Sequence, residues 1–547
     1  MLKRRRTEQD ELLVRPTAPR AVRHQPPPSV PPPSREPDPE EVSGPELPDR
    51  PERPRKRRRR RSVLLLVRPI AVLVGLLVAA YLCFPLVFRL ERLRPIVENS
   101  LGQTVGRKVR VGSLKLTFTL GALIASDVTV TEDPAFGHAS FAHAKEVVLD
   151  VHRLPLLFGG RVEIDSIDIN DPTVTLRRDS AGHWNFAGAL RDGAAPSPGG
   201  VRVRVRNGIV TIRRDESGDP VTLRAVNADF PRVAGGVEMT FAISGAVDGG
   251  GTMKLNGKAG PVFWEGGSPR MPLNMLVNAK QVALSGSNLT DKFAPALDGT
   301  VSFDGSVESD GNALTASGNA RLAGLKLAQL GTAAADPLLI VLTVRHDLNT
   351  GSGEFSRCEI HLGKGSAEVK GSYQEAGGRP TVRLAMEARG IPVKPLASLV
   401  NAAGIPLPSG TSLQGGVAFL QLAIQGPVDR PTTTGKFTIE NATLVAFDAA
   451  ERFSAIGGLD ALRTGRDLGL DSLTADVNAG PERVALENIE ADLAEIGKIT
   501  GSGAILDNRT LDFRLQAVRT GVNDRRPIPF VVRGACSAPI FRQPGKL

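Results

Sequence analysis

Short apolar–polar alternations recur from residue 109 to residue 541, and they constrain this chain more than any single motif does. Val109-Arg110-Val111, Leu114-Lys115-Leu116-Thr117-Phe118, Asp127-Val128-Thr129-Val130 and Val162-Glu163-Ile164 open the series. Ile167-Asp168-Ile169, Val174-Thr175-Leu176 and Val201-Arg202-Val203-Arg204-Val205 continue it. A period of two puts the apolar side chains on one face of a strand and the polar ones on the other. Turn signals separate these runs at Asn170-Asp171-Pro172, Asn207-Gly208, Gly249-Gly250-Gly251, Asp310-Gly311-Asn312 and Gly363-Lys364-Gly365. Their spacing suits antiparallel meanders of roughly 20–25 strands. Abundant Gly (58) and Pro (41) also disfavour long helical bundles.

One hairpin-like unit recurs. Gly299 to Gly305 leads into Gly318 to Leu322, Gly416 to Phe419 into Gly435 to Ile439, and Gly503 to Ile505 into Leu511 to Leu515. These read as divergent internal repeats. Only short helices are predicted: Arg89 to Leu101, Leu396 to Ala402 after Pro395, and a third around Ala455 to Leu462. Residues 192–200, Asp-Gly-Ala-Ala-Pro-Ser-Pro-Gly-Gly, read as a linker between a β unit at 89–191 and a longer one at 201–547.

The charge is concentrated at the N-terminus. Residues 1–61 carry 17 basic and 10 acidic side chains, leaving 51 against 48 in the rest. This tail is Pro-rich and without apolar periodicity, so a disordered segment is expected. It ends in the basic run Arg55 to Arg61, and an apolar run from Val63 to Phe88 follows, interrupted by Arg68. The uncharged part, residues 70–88, would span about 28 Å as a helix, close to the bilayer core. Residues 62–88 are therefore predicted as a transmembrane helix, with Ile70, Leu73, Leu76, Leu77, Leu82 and Phe84 on its apolar surface. The basic cluster before it predicts a cytoplasmic N-terminus, which puts the body across the membrane.

Catalytic signatures are missing. The sequence has no G-x-S-x-G, H-E-x-x-H or phosphate-binding loop. Seven His are scattered and three Cys are far apart, so neither a metal site nor a cofactor is expected. A nearly neutral body with 4% aromatics argues against nucleic-acid binding. We expect no enzyme activity.

Several stretches resemble the AsmA family of bacterial envelope proteins. They are the N-terminal span, Arg107-Lys108-Val109 to Leu116, the run containing Asp127, Ile167 to Val174, and Asp179 to Phe186 with its Gly-His-Trp-Asn-Phe core. Gly426 to Leu444 is similar to a later repeat of that family, and Ile528 to Gly534 with Ala538 to Phe541 to its terminal strands. The long Pro-rich tail departs from the family pattern. The resemblance implies an inner-membrane anchor, a periplasmic body and a role in outer-membrane biogenesis. Larger members resemble bridge-like lipid-transfer proteins, in which a long curled sheet shields acyl chains.

On that basis the expected fold is mainly β: a transmembrane helix, then a long curled antiparallel sheet forming an apolar groove, with few short helices. The groove candidates are Leu116, Phe118, Val128, Val130, Ile167, Ile169, Val174, Leu176, Val203, Val205, Phe303, Val417, Phe419, Phe437, Ile439, Leu511, Phe513 and Leu515. Membrane lipid, phospholipid first, is the expected ligand. The competing reading is a scaffold or regulator of outer-membrane protein assembly, with the sheet packed on itself and an envelope protein as partner. A membrane-anchored enzyme is a third.

Overall fold

In the computed structural model the described residues are 72–75 and 94–545, apart from 118–121, 138, 153–163, 180–182, 187–199, 214–218, 235, 266–267, 289–296, 377–378, 460–464, 507–508 and 520–525. The chain divides into two units at residue 82. In the first, residues 72–75 are helical, and Leu73 is exposed. Among the described residues no helix is long and apolar enough to cross a membrane. The rest of the predicted span, including Ile70, Leu76, Leu77, Leu82 and Phe84, lies outside them, as does the tail.

The second unit begins with helix α1 (Arg94–Val105) and continues as strands. The first group is β1 (Val109–Arg110), β2 (Ser113–Thr117), β3 (Ala122–Thr131), β4 (Ser140–Val151), β5 (Ile164–Arg177) and β6 (Val201–Arg213). Next come β7 (Val221–Val233), β8 (Met239–Val247), β9 (Thr252–Ala259), a small hairpin of β10 (Phe263–Glu265) and β11 (Ser268–Arg270), and β12 (Leu273–Ala283). Then follow β13 (Asp298–Ser309), β14 (Ala313–Lys326), β15 (Leu338–Asp347), β16 (Ser352–Leu362), β17 (Gly365–Ala376) and β18 (Arg379–Pro392). Helix α2 (Val393–Ala402) leads to β19 (Ser412–Pro427) and β20 (Thr432–Val445), and α3 (Ala449–Phe453) leads to β21 (Leu468–Ala479). The last strands are β22 (Arg483–Leu493), β23 (Gly497–Leu506), β24 (Thr510–Arg519), β25 (Ile528–Ala535) and β26 (Ala538–Arg542). The first two expected helices are present with shifted bounds. The one placed at Ala455 to Leu462 is not found there: residues 454–459 form turns and a bend, and the helix of this region, α3, ends at Phe453 and begins where the Asp448 carboxylate accepts the Glu451 N–H.

All strands except β10 and β11 form one 24-stranded sheet, in which each strand pairs with its neighbour in sequence. The order continues to β26, and β1 and β2 share the edge of β3. The sheet is mixed rather than wholly antiparallel, because β5 and β6 run parallel. The chain between them returns from one rim of the sheet to the other, as a parallel pair requires. All three helices lie on one rim, here called the helix rim. The other, the hairpin rim, carries tight turns such as Asp310, whose carboxylate accepts the Asn312 and Ala313 N–H groups.

Two expected turns are not turns. Asp171 lies inside the 14-residue β5 and Asn207 inside β6. Both are left-handed, with φ of 48° and 54°. Similar residues cross the sheet near the helix rim: Asp127, Ala225, Gln281, Asn441 and Asn488. Register shifts accompany several of them, as between Ala279 and Val282 and between Leu486 and Ile489. Bulges bend strands and increase twist. Asp and Asn suit the position because their side chains bond across it, as Asn207 Nδ2 does to Asp171 Oδ1 at 2.6 Å and Asn488 Nδ2 to Asp476 Oδ2 at 2.7 Å. The sheet therefore bends along a line parallel to its helix rim.

Candidate functional site

Following the register across the central strands shows which side chains share a face. One row runs Phe241, Gly257, Met275, Val307, Ala316, Val344, Phe355, Gly371, Leu384 and Ile424. A second, nearer the helix rim, runs Met253, Ala279, Phe303, Ala320, Ile340, Ile360, Ala367, Ala388, Leu420 and Phe437. Neither row contains an Asp, Glu, Lys or Arg. Along the same strands the alternate positions carry Lys254, Asn278, Asp304, Arg321, Glu359, Glu368 and Arg383. Ten strands at about 4.8 Å make this apolar face about 43 Å long before twist. Most of its side chains in β8 to β15 are only half-buried.

Both ends of the sheet are covered. At the N-terminal end Val97 and Leu101 of α1 join a buried cluster with Leu123, Ala125, Val128, Val147, Leu149 and Ile167. Leu116, Val130, Ile169 and Val203 pack against it. Glu98 fixes α1, accepting the Val111 N–H at 2.8 Å. That bond, helped by Arg94, holds the Glu98 carboxyl below its usual range. At the C-terminal end Phe453 of α3 meets Phe530 and Phe541, with ring centroids 5.7 Å and 4.9 Å apart. The sheet also curls here. The Ser409 N–H, just before β19, donates to Ser537 O at 2.8 Å in the turn after β25. Six strand spacings, about 29 Å along the ladder, separate those strands. A large cluster including Leu362, Val393, Ala418, Phe453, Leu470, Phe530 and Val532 fills the curl.

Most groove candidates fall on the apolar face. Phe303 and Phe437 lie in one row, Ile439 pairs with Ala418, and Leu511, Phe513 and Leu515 line up with Gly534, Val532 and Phe530. Val174 and Leu176 pair with Val210 and Ile212, and Val205 with Ile169. Val417 and Phe419 are corrected: they alternate with Ala418 and Leu420, and Phe419 is 37% exposed on the opposite face. The left-handed Gly415 and Gly416 before them change the phase of the alternation. Phe118 lies outside the described residues. The sequence reading missed Phe241, Leu255, Met275, Leu342, Phe355 and Leu384, although the same period-two signal marks each of them. Cys358 and Cys536 are separate buried thiols, and burial raises the pKa of both.

The Gly-His-Trp-Asn-Phe stretch has a structural task. Asn185 is fully buried. Its Nδ2 donates to Glu132 Oε2 and to Thr175 O, each at 2.9 Å, and its Oδ1 accepts the Arg177 N–H at 3.0 Å. Arg107 pairs with Glu132 at 3.1 Å, donates to Asn185 O and lies over the Phe141 ring. The knot ties the loop after α1 to the start of the β5–β6 crossover. Trp184 stacks on Phe186 beside it.

The model of the AsmA family matches residues 58–199. That stretch spans the apolar run, α1, β1 to β5 and the knot, and the match supports membership of the AsmA family. The stretches at 426–444 and 528–541 fall outside it. No curated protein and no solved structure matches the chain.

Proposed function

We propose that this is a membrane-anchored lipid-handling protein of AsmA type, whose central strands hold acyl chains against their apolar face. One observation carries the reading: two apolar rows cross ten strands without a charge, their side chains stay half-buried in β8 to β15, where α2 packs on Val301, Leu322 and Leu338 at the helix rim, and the other face of those strands is charged. Aliphatic walls without directional polar groups suit chains that need volume rather than hydrogen bonds. The AsmA family match and the large sheet are compatible with such a role. The apolar run at 63–88 after a polybasic segment supports an inner-membrane anchor with the body in the periplasm. Because α1 and α3 cover the ends, we infer that lipid enters across an open rim, not end to end. The scaffold reading draws on the packed curl at β16 to β26.

The test is lipid mass spectrometry on the purified full chain. Leu342→Lys on the apolar face is expected to abolish co-purifying phospholipid, and Val341→Lys on the charged face to leave it unchanged. Equal lipid in wild type and both folded variants would overturn the reading.

A further inference from the structure

The two rims of the apolar face differ chemically. Toward the helix rim its residues are Val301, Leu322 and Leu338, joined by register. At the hairpin rim one row contains Ser309, Leu314, His346, Gly353 and Tyr373. Ser309, His346 and Tyr373 share that one row, and Glu375 lies one position further out on the same face of β17. His346 and Tyr373 sit on strands separated by β16, yet the Tyr373 hydroxyl lies 3.1 Å from His346 Nδ1 and the rings stack 5.8 Å apart. Gly353 makes this possible, because a Cβ there would run into the Tyr373 ring. The edge of Phe355 closes the site at 6.0 Å from the same ring. Burial raises the Tyr373 pKa, with Glu375 adding to it, so the phenol keeps its proton as a donor.

We propose that the hairpin rim is the headgroup rim: His346 and Tyr373 hold the polar end of a bound lipid whose chains run across the apolar rows toward the helix rim. The inference rests on the lipid reading above. The stacked pair leaves one donor for a phosphate or ester oxygen: His346 Nε2–H where the Tyr373 hydroxyl donates to Nδ1, or the Tyr373 O–H where Nδ1 carries the proton. Apolar walls alone would accept a lipid in either direction. A polar row on one rim gives that lipid an orientation.

The test uses the full chain in vesicles of phosphatidylethanolamine and phosphatidylglycerol. They contain a trace of phosphatidylethanolamine carrying a photoreactive diazirine either on the headgroup or at an acyl end, and adducts are mapped by peptide mass spectrometry. Headgroup adducts are expected at Leu314 and Val382, and acyl-end adducts at Val301 and Leu338. Tyr373→Phe and His346→Phe each remove one polar partner and should lower headgroup adducts about fivefold while leaving acyl-end adducts in place. Gly353→Ala, which displaces the Tyr373 ring without removing it, should do the same. Matching maps for the two probes, or headgroup adducts at the helix rim, would overturn the orientation and leave lipid binding intact. No adduct on this face from either probe would remove the lipid reading and the orientation together.

Discussion

Asn185 shows how one side chain can serve three segments. It satisfies Glu132, the Thr175 carbonyl and the Arg177 amide in a space that excludes water. Asn185→Ala strands these groups and should destabilise the N-terminal strands by about 2–3 kcal/mol. Arg107→Ala leaves Glu132 buried without its cation and should cost about 3–5 kcal/mol. Thermal unfolding of the two variants checks both values. The face assignments give a second residue-scale expectation. Phe303→Asp puts a charge on the apolar face and should suppress lipid loading, whereas Phe419→Asp should have little effect because Phe419 already meets solvent. Lipid content measured in the two purified variants decides it. Phe303 and Phe419 look alike in sequence, each within an apolar run after Gly. The left-handed glycines that separate them in space are visible only in the backbone.

At the scale of elements, the strands were legible because the alternation of small aliphatics with charged residues is strong from β12 to β24. Asn170-Asp171-Pro172 and Asn207-Gly208 misled, because the same left-handed conformation serves a tight turn and a mid-strand bulge. The parallel β5–β6 pair was illegible for another reason: no local pattern tells whether a chain returns to the opposite rim before pairing. Helix α1 offers a pH test. Its Glu98 carboxyl titrates below the ordinary value of 4.5 because Val111 N–H and Arg94 stabilise the anion. A depressed folded-state pKa contributes stability above 4.5 that is lost as pH falls through the lower folded value. The protection of the Val111 amide relative to its intrinsic exchange rate at each pH should fall only in that acid range, and Glu98→Gln should remove the dependence. At the other end, Phe453→Ala empties the space between Phe530 and Phe541 and should cost about 3–5 kcal/mol. Hydrogen exchange should localise the loss to β24 to β26.

At the scale of the second unit as a whole, the arrangement is a long sheet bent along a line of bulges, covered by α1 near its first strands, met by α2 along its helix rim and closed by its own curl near its last. The packed ends stabilise the sheet, and the half-buried strands β8 to β15 between them are where the proposed lipid would lie. The candidate face was legible in outline, since the outer strands supplied most of the named positions. Its centre was missed because the most conspicuous repeats drew attention to Phe303, Phe437 and Phe513 instead of Leu342 and Phe355. His346 and Tyr373 carried no sequence signal, being 27 residues apart and joined only through register. The most direct measurement places a photo-crosslinking amino acid at four single sites of the full chain in its membrane: Phe303 and Leu342 on the apolar face, Ser302 and Val341 on the charged one. The account expects lipid adducts at Phe303 and Leu342 and none at their neighbours. Equal labelling on the two faces, or no lipid adduct at any of the four sites, would contradict it.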